Sequence, residues 1–259
     1  MDIVVSQATL NFVLVGMPRS GASILQTALC EHPQAVCHGQ LFSSSEKTRR
    51  RAHERYFGDS HPNNPGWLHA GMSPEHYLGS RIFTQPRKDE KVVGVWLSYV
   101  ELHRHDLWDF LKTQTLLGDF CVIHVLRNPL MCYVSWKQAQ NSAVWRQDAN
   151  EQPKEEIPAP VTIEPREFAE FCRSQLAWEA KLQAACPDRL EIRYQELFLN
   201  YRPVLRQVLK FLELEPCHLS PGTRRLRNRS PRSRIVDFDG ALAACPQDLR
   251  HLFEAPDLF

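Results

Sequence analysis

The segment that most constrains the fold is a glycine-bounded loop joining an apolar run to a helical pattern. Phe12–Val15 is short, apolar and non-alternating, as expected of a strand covered on both faces. It runs into Gly16-Met17-Pro18-Arg19-Ser20-Gly21-Ala22-Ser23, and a helical pattern then occupies Ala22–Leu29. Glycines at GxxxxG spacing let the backbone turn tightly and aim its N–H groups into one concavity. The helix N-terminus adds partial positive charge, so an anion is favoured there. This is Walker-A spacing in strand–loop–helix context.

One part of that motif is missing. The Lys-Ser/Thr that closes a Walker A is here Ala22-Ser23. Without the lysine, a Mg²⁺-dependent nucleotidase loses the charge that pairs the β- and γ-phosphates. A cation instead sits inside the loop, at Arg19. A loop built this way can hold a phosphate whose bridging oxygen needs positive charge, without a metal.

The remainder reads as alternating strand and helix. Val92–Leu97 and Cys121–Leu126 are further buried strands, with shorter ones at Ala35–Cys37 and Leu190–Arg193. Helical patterns cover Pro129–Gln140, Phe168–Ala185 and Pro203–Leu212, the first preceded by Asn128 as cap with proline at the first helical position. The expected fold is a three-layer α/β domain of P-loop type, residues 1–259, with a mainly parallel sheet flanked by helices. Two stretches depart from the alternation. Residues 43–91 form a polar, proline-punctuated insertion, and 146–160 read as a mobile loop. Each is either a solvated insertion or a lid or acceptor-binding loop beside the site.

Composition excludes several function classes. Acidic and basic residues nearly cancel, leaving a net charge of +1, which gives no general affinity for nucleic acid. No apolar stretch reaches the length of a membrane span, and Met1-Asp2-Ile3 lacks the basic start of a secretory signal. The eight cysteines form no CxxC pair, and several lie among apolar neighbours, which fits buried thiols in a reducing, cytoplasmic setting. The histidines have no metal-ligand spacing, so no metal site is expected.

A second anion site is legible further along. The strand ending at Leu126 delivers Arg127-Asn128-Pro129, and the following helix carries Ser135. Open α/β sheets bind ligands at the carboxyl ends of their strands, where Arg127 falls.

Pro18-Arg19-Ser20-Gly21-Ala22-Ser23 followed by Arg127…Ser135 resembles the two signatures of sulfotransferases dependent on 3′-phosphoadenosine 5′-phosphosulfate (PAPS). The resemblance implies that Ser20, Gly21, Ala22 and Ser23 hold the 5′-phosphosulfate while Arg127 and Ser135 hold the 3′-phosphate. It makes Arg19 the cation for the leaving oxygen of the product 3′-phosphoadenosine 5′-phosphate (PAP). Val134–Gln140 with Trp145 is similar to bacterial sulfotransferases acting on sugars and glycolipids, which implies a hydroxyl-bearing carbohydrate or glycolipid acceptor. Ile192–Leu197 resembles the family's Tyr-Glu-Asp-Leu segment. Six arginines between Arg224 and Arg234 read as a solvated arm, a nucleic-acid or targeting patch, or a nucleotide lid over 222–235. The resemblance favours the lid, with Arg227 as its cation.

The sequence departs from its relatives where a base is needed. Gly39-Gln40 stands where related sugar sulfotransferases carry Gly-Glu, and glutamine cannot accept a proton at working pH. Trp96 stands where many place a lysine, and Ala22 where threonine is common. His38, Glu101 and His103 are the substitute bases within reach in sequence. Three readings follow: a PAPS-dependent sulfotransferase, a binding or scaffolding protein of that fold without turnover, and a metal-dependent nucleotide kinase, which Ala22 disfavours.

Overall fold

The computed structural model describes residues 9–46, 48, 71–84, 90–145, 158–220 and 230–254. In chain order the elements are β1 (Leu10–Gly16), α1 (Ala22–Leu29), β2 (Ala35–His38), α2 (Pro74–Tyr77) leading into a π-helical turn at Leu78–Ile82, and β3 (Val92–Ser98). Then come α3 (Tyr99–Arg104), α4 (Trp108–Leu116), β4 (Phe120–Leu126), α5 (Pro129–Ser142), α6 (Pro165–Ala185) and β5 (Leu190–Arg193). The chain continues through α7 (Tyr194–Leu199), α8 (Tyr201–Phe211), α9 (Pro231–Arg234), α10 (Phe238–Ala244) and α11 (His251–Glu254).

The five strands form one sheet in the order β2-β3-β1-β4-β5, and every pairing is parallel. β1 is central, and its side chains divide between two apolar layers. Phe12 and Leu14 pack with Leu25 and Leu29 of α1 and Val208 and Leu209 of α8. Val13 and Val15 pack on the opposite face with Leu111 of α4 and Leu182 of α6. Fully burying each such side chain is worth about 2 kcal/mol, so the strand that presents the loop is anchored on both faces. A side chain at Gly94 would put its Cβ 2.1 Å from Phe12 Cε1, so only glycine lets that ring lie across β3.

A third apolar cluster joins Leu130 and Tyr133 of α5 and Phe168 of α6 to Leu249, Leu252 and Phe253. The C-terminal segment is tied to this side by parallel pairing of Val161 with Ile235. Asn128 caps α5 through Leu130 N–H at 2.9 Å, and its amide donates to Leu252 O at 3.0 Å. The polar insertion read over 43–91 is partly core: Tyr77, Leu78, Ile82 and Phe83 are all buried there. The cysteines are all thiols, and five of them are buried. Among the described residues no helix is long and apolar enough to cross a membrane.

Candidate active site

The loop after β1 is held by contacts that leave almost no room for side chains. A Cβ on Gly16 would lie 2.7 Å from Ser20 Oγ and 2.8 Å from Val125 O, so the loop closes directly against β4. Ser20 N–H donates to Met17 O at 3.0 Å, which makes the turn. Arg19 and Gly21 both take left-handed backbone angles, φ 77° and 99°. Such alternation directs successive N–H groups to one side, as anion-binding nests do. Ile24 N–H donates to Gly21 O at 2.9 Å; the N–H groups of Gly21, Ala22 and Ser23 come earlier and have no intrahelical carbonyl to bond. Ser20 is fully buried, and its hydroxyl has no hydrogen-bond partner among the described residues.

The two anion signatures, far apart in sequence, meet here. Arg19 Nε donates to Ser135 Oγ at 3.0 Å, and Arg127 Nη1 donates to Arg19 O at 2.7 Å. Arg19 Nη1 also donates to Trp145 O, a carbonyl delivered by the left-handed turn at Ala143 that ends α5. Tyr194, the first residue of α7, forms a floor. The Arg127 guanidinium stacks 4.0 Å over its ring, and a Cβ on Gly21 would lie 2.6 Å from its Cδ2. Gln175 of α6 steadies Arg127 from behind, donating to its carbonyl at 3.0 Å. Burial first, and then the neighbouring charge of Arg127, lower the Arg19 pKa to about 10. Arg19 therefore stays charged at neutral pH, held by neutral oxygens.

The residues read from the sequence as substitute bases lie at different places. His38 is buried at the end of the edge strand β2, with β3 between it and β1. His103 is exposed on α3, its ring centroid 5.7 Å from that of Trp178 on α6. Glu101 is buried behind Ser98, the β3 residue in register with Gly16. Trp96 lies in the α1-side apolar layer, and its Nε1 is buried with no partner among the described residues. Arg227, residues 222–229 of the basic lid and residues 146–157 of the second loop lie outside the described residues. Among the described residues no cluster of His, Cys, Asp and Glu could hold a metal ion.

Sequence reasoning singled out the loop, Arg127 and Ser135, which the structure brings together, but not the structural part of Tyr194. Its signal was the pairing of a glycine that must stay bare with an aromatic residue directly after β5.

A parallel sheet with a glycine loop and two arginines at the carboxyl ends of its strands defines an α/β protein of P-loop type. The chain belongs to the sulfotransferase family, whose sequence profile matches residues 11–218. It is 25% identical over 227 residues to nodulation protein H of Rhizobium tropici, covering 86% of this chain and 82% of that protein. The crystal structure of a sulfotransferase from Alicyclobacillus acidocaldarius aligns with a TM-score of 0.47 at 13% identity, over 94% of this chain and 96% of that one. The sulfotransferase domain of the Synechococcus PCC 7002 olefin synthase aligns at 0.45 and 14% identity, over 82% and 76% of the two chains.

Proposed function

We propose that this protein transfers the sulfuryl group of PAPS to a hydroxyl of a carbohydrate or glycolipid. The observation that carries the reading is the convergence of Arg19, Ser135 and Arg127 beside the glycine loop. The residues present fit the donor. The orphaned Ser20 hydroxyl and the N–H groups at the start of α1 that have no intrahelical carbonyl leave donors for an anion there. When bound, PAPS supplies an activated sulfuryl group. The N–H groups of Gly21, Ala22 and Ser23, with the Ser23 hydroxyl, hold its 5′ end, and Arg127 and Ser135 hold the 3′-phosphate. Arg19 offsets negative charge on the bridging oxygen as the acceptor attacks sulfur in line. Charge that a Walker A draws from lysine and Mg²⁺ comes here from a guanidinium, so donor binding needs no metal.

Support for the sugar acceptor comes from the pattern around Trp136 and Trp145, which resembles that of bacterial enzymes acting on sugars and glycolipids. Calorimetric titration with PAP, with and without Mg²⁺, tests the donor site. Tight Mg²⁺-independent binding is expected; no binding overturns the reading, and strict Mg²⁺ dependence favours a kinase. Transfer of ³⁵S from labelled PAPS to a panel of oligosaccharides and glycolipids separates an enzyme from a scaffold that binds PAP without turnover.

A further inference from the structure

Sulfuryl transfer to a hydroxyl releases a proton, and Gln40 cannot take it. The loop strand β1 has β3 beside it, and their last residues, Gly16 and Ser98, are register partners. Neighbouring strands lie about 4.8 Å apart, which puts Ser98 at the same rim of the sheet as the glycine loop. Ser98 Oγ donates to Glu101 Oε2 at 2.8 Å, and Ser98 N–H donates to the same oxygen at 2.7 Å. Glu101 N–H returns a bond to Ser98 Oγ at 3.3 Å. Ser98 is 1% exposed and Glu101 2%.

The two residues form a capping box for α3. Capping explains a hydrogen-bonding side chain at position 101, but glutamine fills that role as well as glutamate. It gives no reason to bury an ionisable group. The surroundings of Glu101 are specific. Besides the two Ser98 donors, it meets the Phe42 backbone N–H, from the segment that carries Gln40 away from β2, and the charge of Arg104 on its own helix. The His105 ring lies behind that segment, its centroid 5.4 Å from that of Phe42, and burial keeps His105 below its ordinary range. Burial outweighs all of the attractive contacts and pushes Glu101 up to about 7. A carboxylate in that range takes a proton at neutral pH and gives it back.

We infer that Ser98 and Glu101 are the proton-accepting pair of this site, with Ser98 receiving the acceptor's proton and Glu101 receiving that of Ser98. The inference rests on the sulfuryl-transfer reading. The acceptor oxygen forms its bond to sulfur as the bond from sulfur to the bridging oxygen breaks, and the electron pair leaves with PAP. The acceptor proton passes to Ser98 Oγ while the Ser98 hydroxyl proton passes to Glu101 Oε2. Glu101 acts through Ser98 and is therefore a positioning residue and proton store. The pair's burial keeps bulk water from the carboxylate.

The test uses the full chain, ³⁵S-labelled PAPS and a panel of gluco-, galacto- and N-acetylglucosamine tetrasaccharides, beside calorimetry with PAP. Glu101→Gln keeps an oxygen for both Ser98 donors but cannot store a proton. Its turnover is expected to fall by about 10²–10⁴-fold, the usual worth of a general base, with PAP affinity within about twofold of the parent. The parent's kcat should rise with pH through about 7, and the variant's profile should be flat. Ser98→Thr, which keeps the hydroxyl and the cap, should retain at least roughly ten times the turnover of Ser98→Ala. Turnover of Glu101→Gln within about threefold of the parent, or an unchanged rise with pH, overturns the pair. A parent chain that binds PAP and transfers to none of the panel also overturns it. A parent chain that fails to bind PAP instead overturns the donor reading beneath it.

Discussion

Glu101→Gln also has a consequence for stability that is independent of any substrate. In the unfolded chain this carboxyl has its ordinary value of 4.5, and in the fold burial pushes it to about 7. The folded state thus holds its proton more tightly. Below the unfolded value both states are protonated and nothing is lost. As pH rises through the window from 4.5 to about 7, the unfolded chain releases its proton first, and stability falls. Above that window the loss is complete. At about 1.4 kcal/mol per pH unit it amounts to about 3 kcal/mol, a large part of the stability of an ordinary domain.

Glutamine does not titrate, so the variant escapes this loss. It carries a fixed cost, because its amide NH₂ must face the Phe42 N–H; one mismatched buried contact costs about 1 kcal/mol. Near pH 5 the variant should therefore be about as stable as the parent, and near pH 8 the more stable one by about 2 kcal/mol. Urea unfolding of parent and variant at a series of pH values between these limits gives the difference directly, since other titrating groups cancel. A difference that moves by less than about 1 kcal/mol across the series would refute a buried, proton-holding Glu101.

Two further outcomes follow from the loop and its floor. Arg127→Ala should weaken PAP by about 100-fold, in line with the loss of a charge-assisted phosphate contact, and should weaken adenosine 5′-phosphosulfate, which lacks the 3′-phosphate, far less; equal losses by calorimetry would refute the assignment. Gly21→Ala drives a methyl group to 2.6 Å from Tyr194 Cδ2 at a backbone φ of 99°. It should cost about 1–2 kcal/mol in thermal unfolding and displace the ring on which Arg127 rests, with PAP affinity lost in parallel.

The sheet was legible because its strands are runs of β-branched and aliphatic residues with little alternation. The loop strand read as Phe12–Val15 is Leu10–Gly16, and that read as Cys121–Leu126 is Phe120–Leu126. Helices with a broad apolar face were found as well. α4 was not, because only Trp108 and Leu111 are buried along it and the rest of the helix is polar or exposed. The segment around Tyr77–Phe83 was hidden by the polar residues on either side, although its few apolar side chains reach the core. At the site, residue types and order pointed to Arg19, Arg127 and Ser135. The bond between Arg19 and Ser135 joins residues 116 positions apart, and the stack of Arg127 on Tyr194 is likewise a product of tertiary packing. The capping box was written in the sequence as Ser98-x-x-Glu101, but its burial was not, and burial is what separates a cap from a proton store.

The contacts of Arg19 bear on how the donor's affinity divides between residues. Its guanidinium is held by a hydroxyl and a carbonyl, Ser135 Oγ and Trp145 O, and burial together with Arg127 weighs against its charge. Neutral partners satisfy its donors without offsetting that charge, whereas an arginine serving structure alone at such a place gains most from a carboxylate. A bound anion would offset the charge that burial opposes at Arg19. Part of the gain is returned, because a ligand that engages Ser135 must compete with the bond this hydroxyl already makes to Arg19. Ser135→Ala removes that competition together with the contact, two effects of about 1 kcal/mol each and of opposite sign. PAP affinity should thus change by less than about fivefold in Ser135→Ala, against about 100-fold in Arg127→Ala. Equal losses in the two variants would mean that Arg19 does not hold Ser135 in the free protein in solution, and that the two signatures are brought together by the ligand and not by the fold.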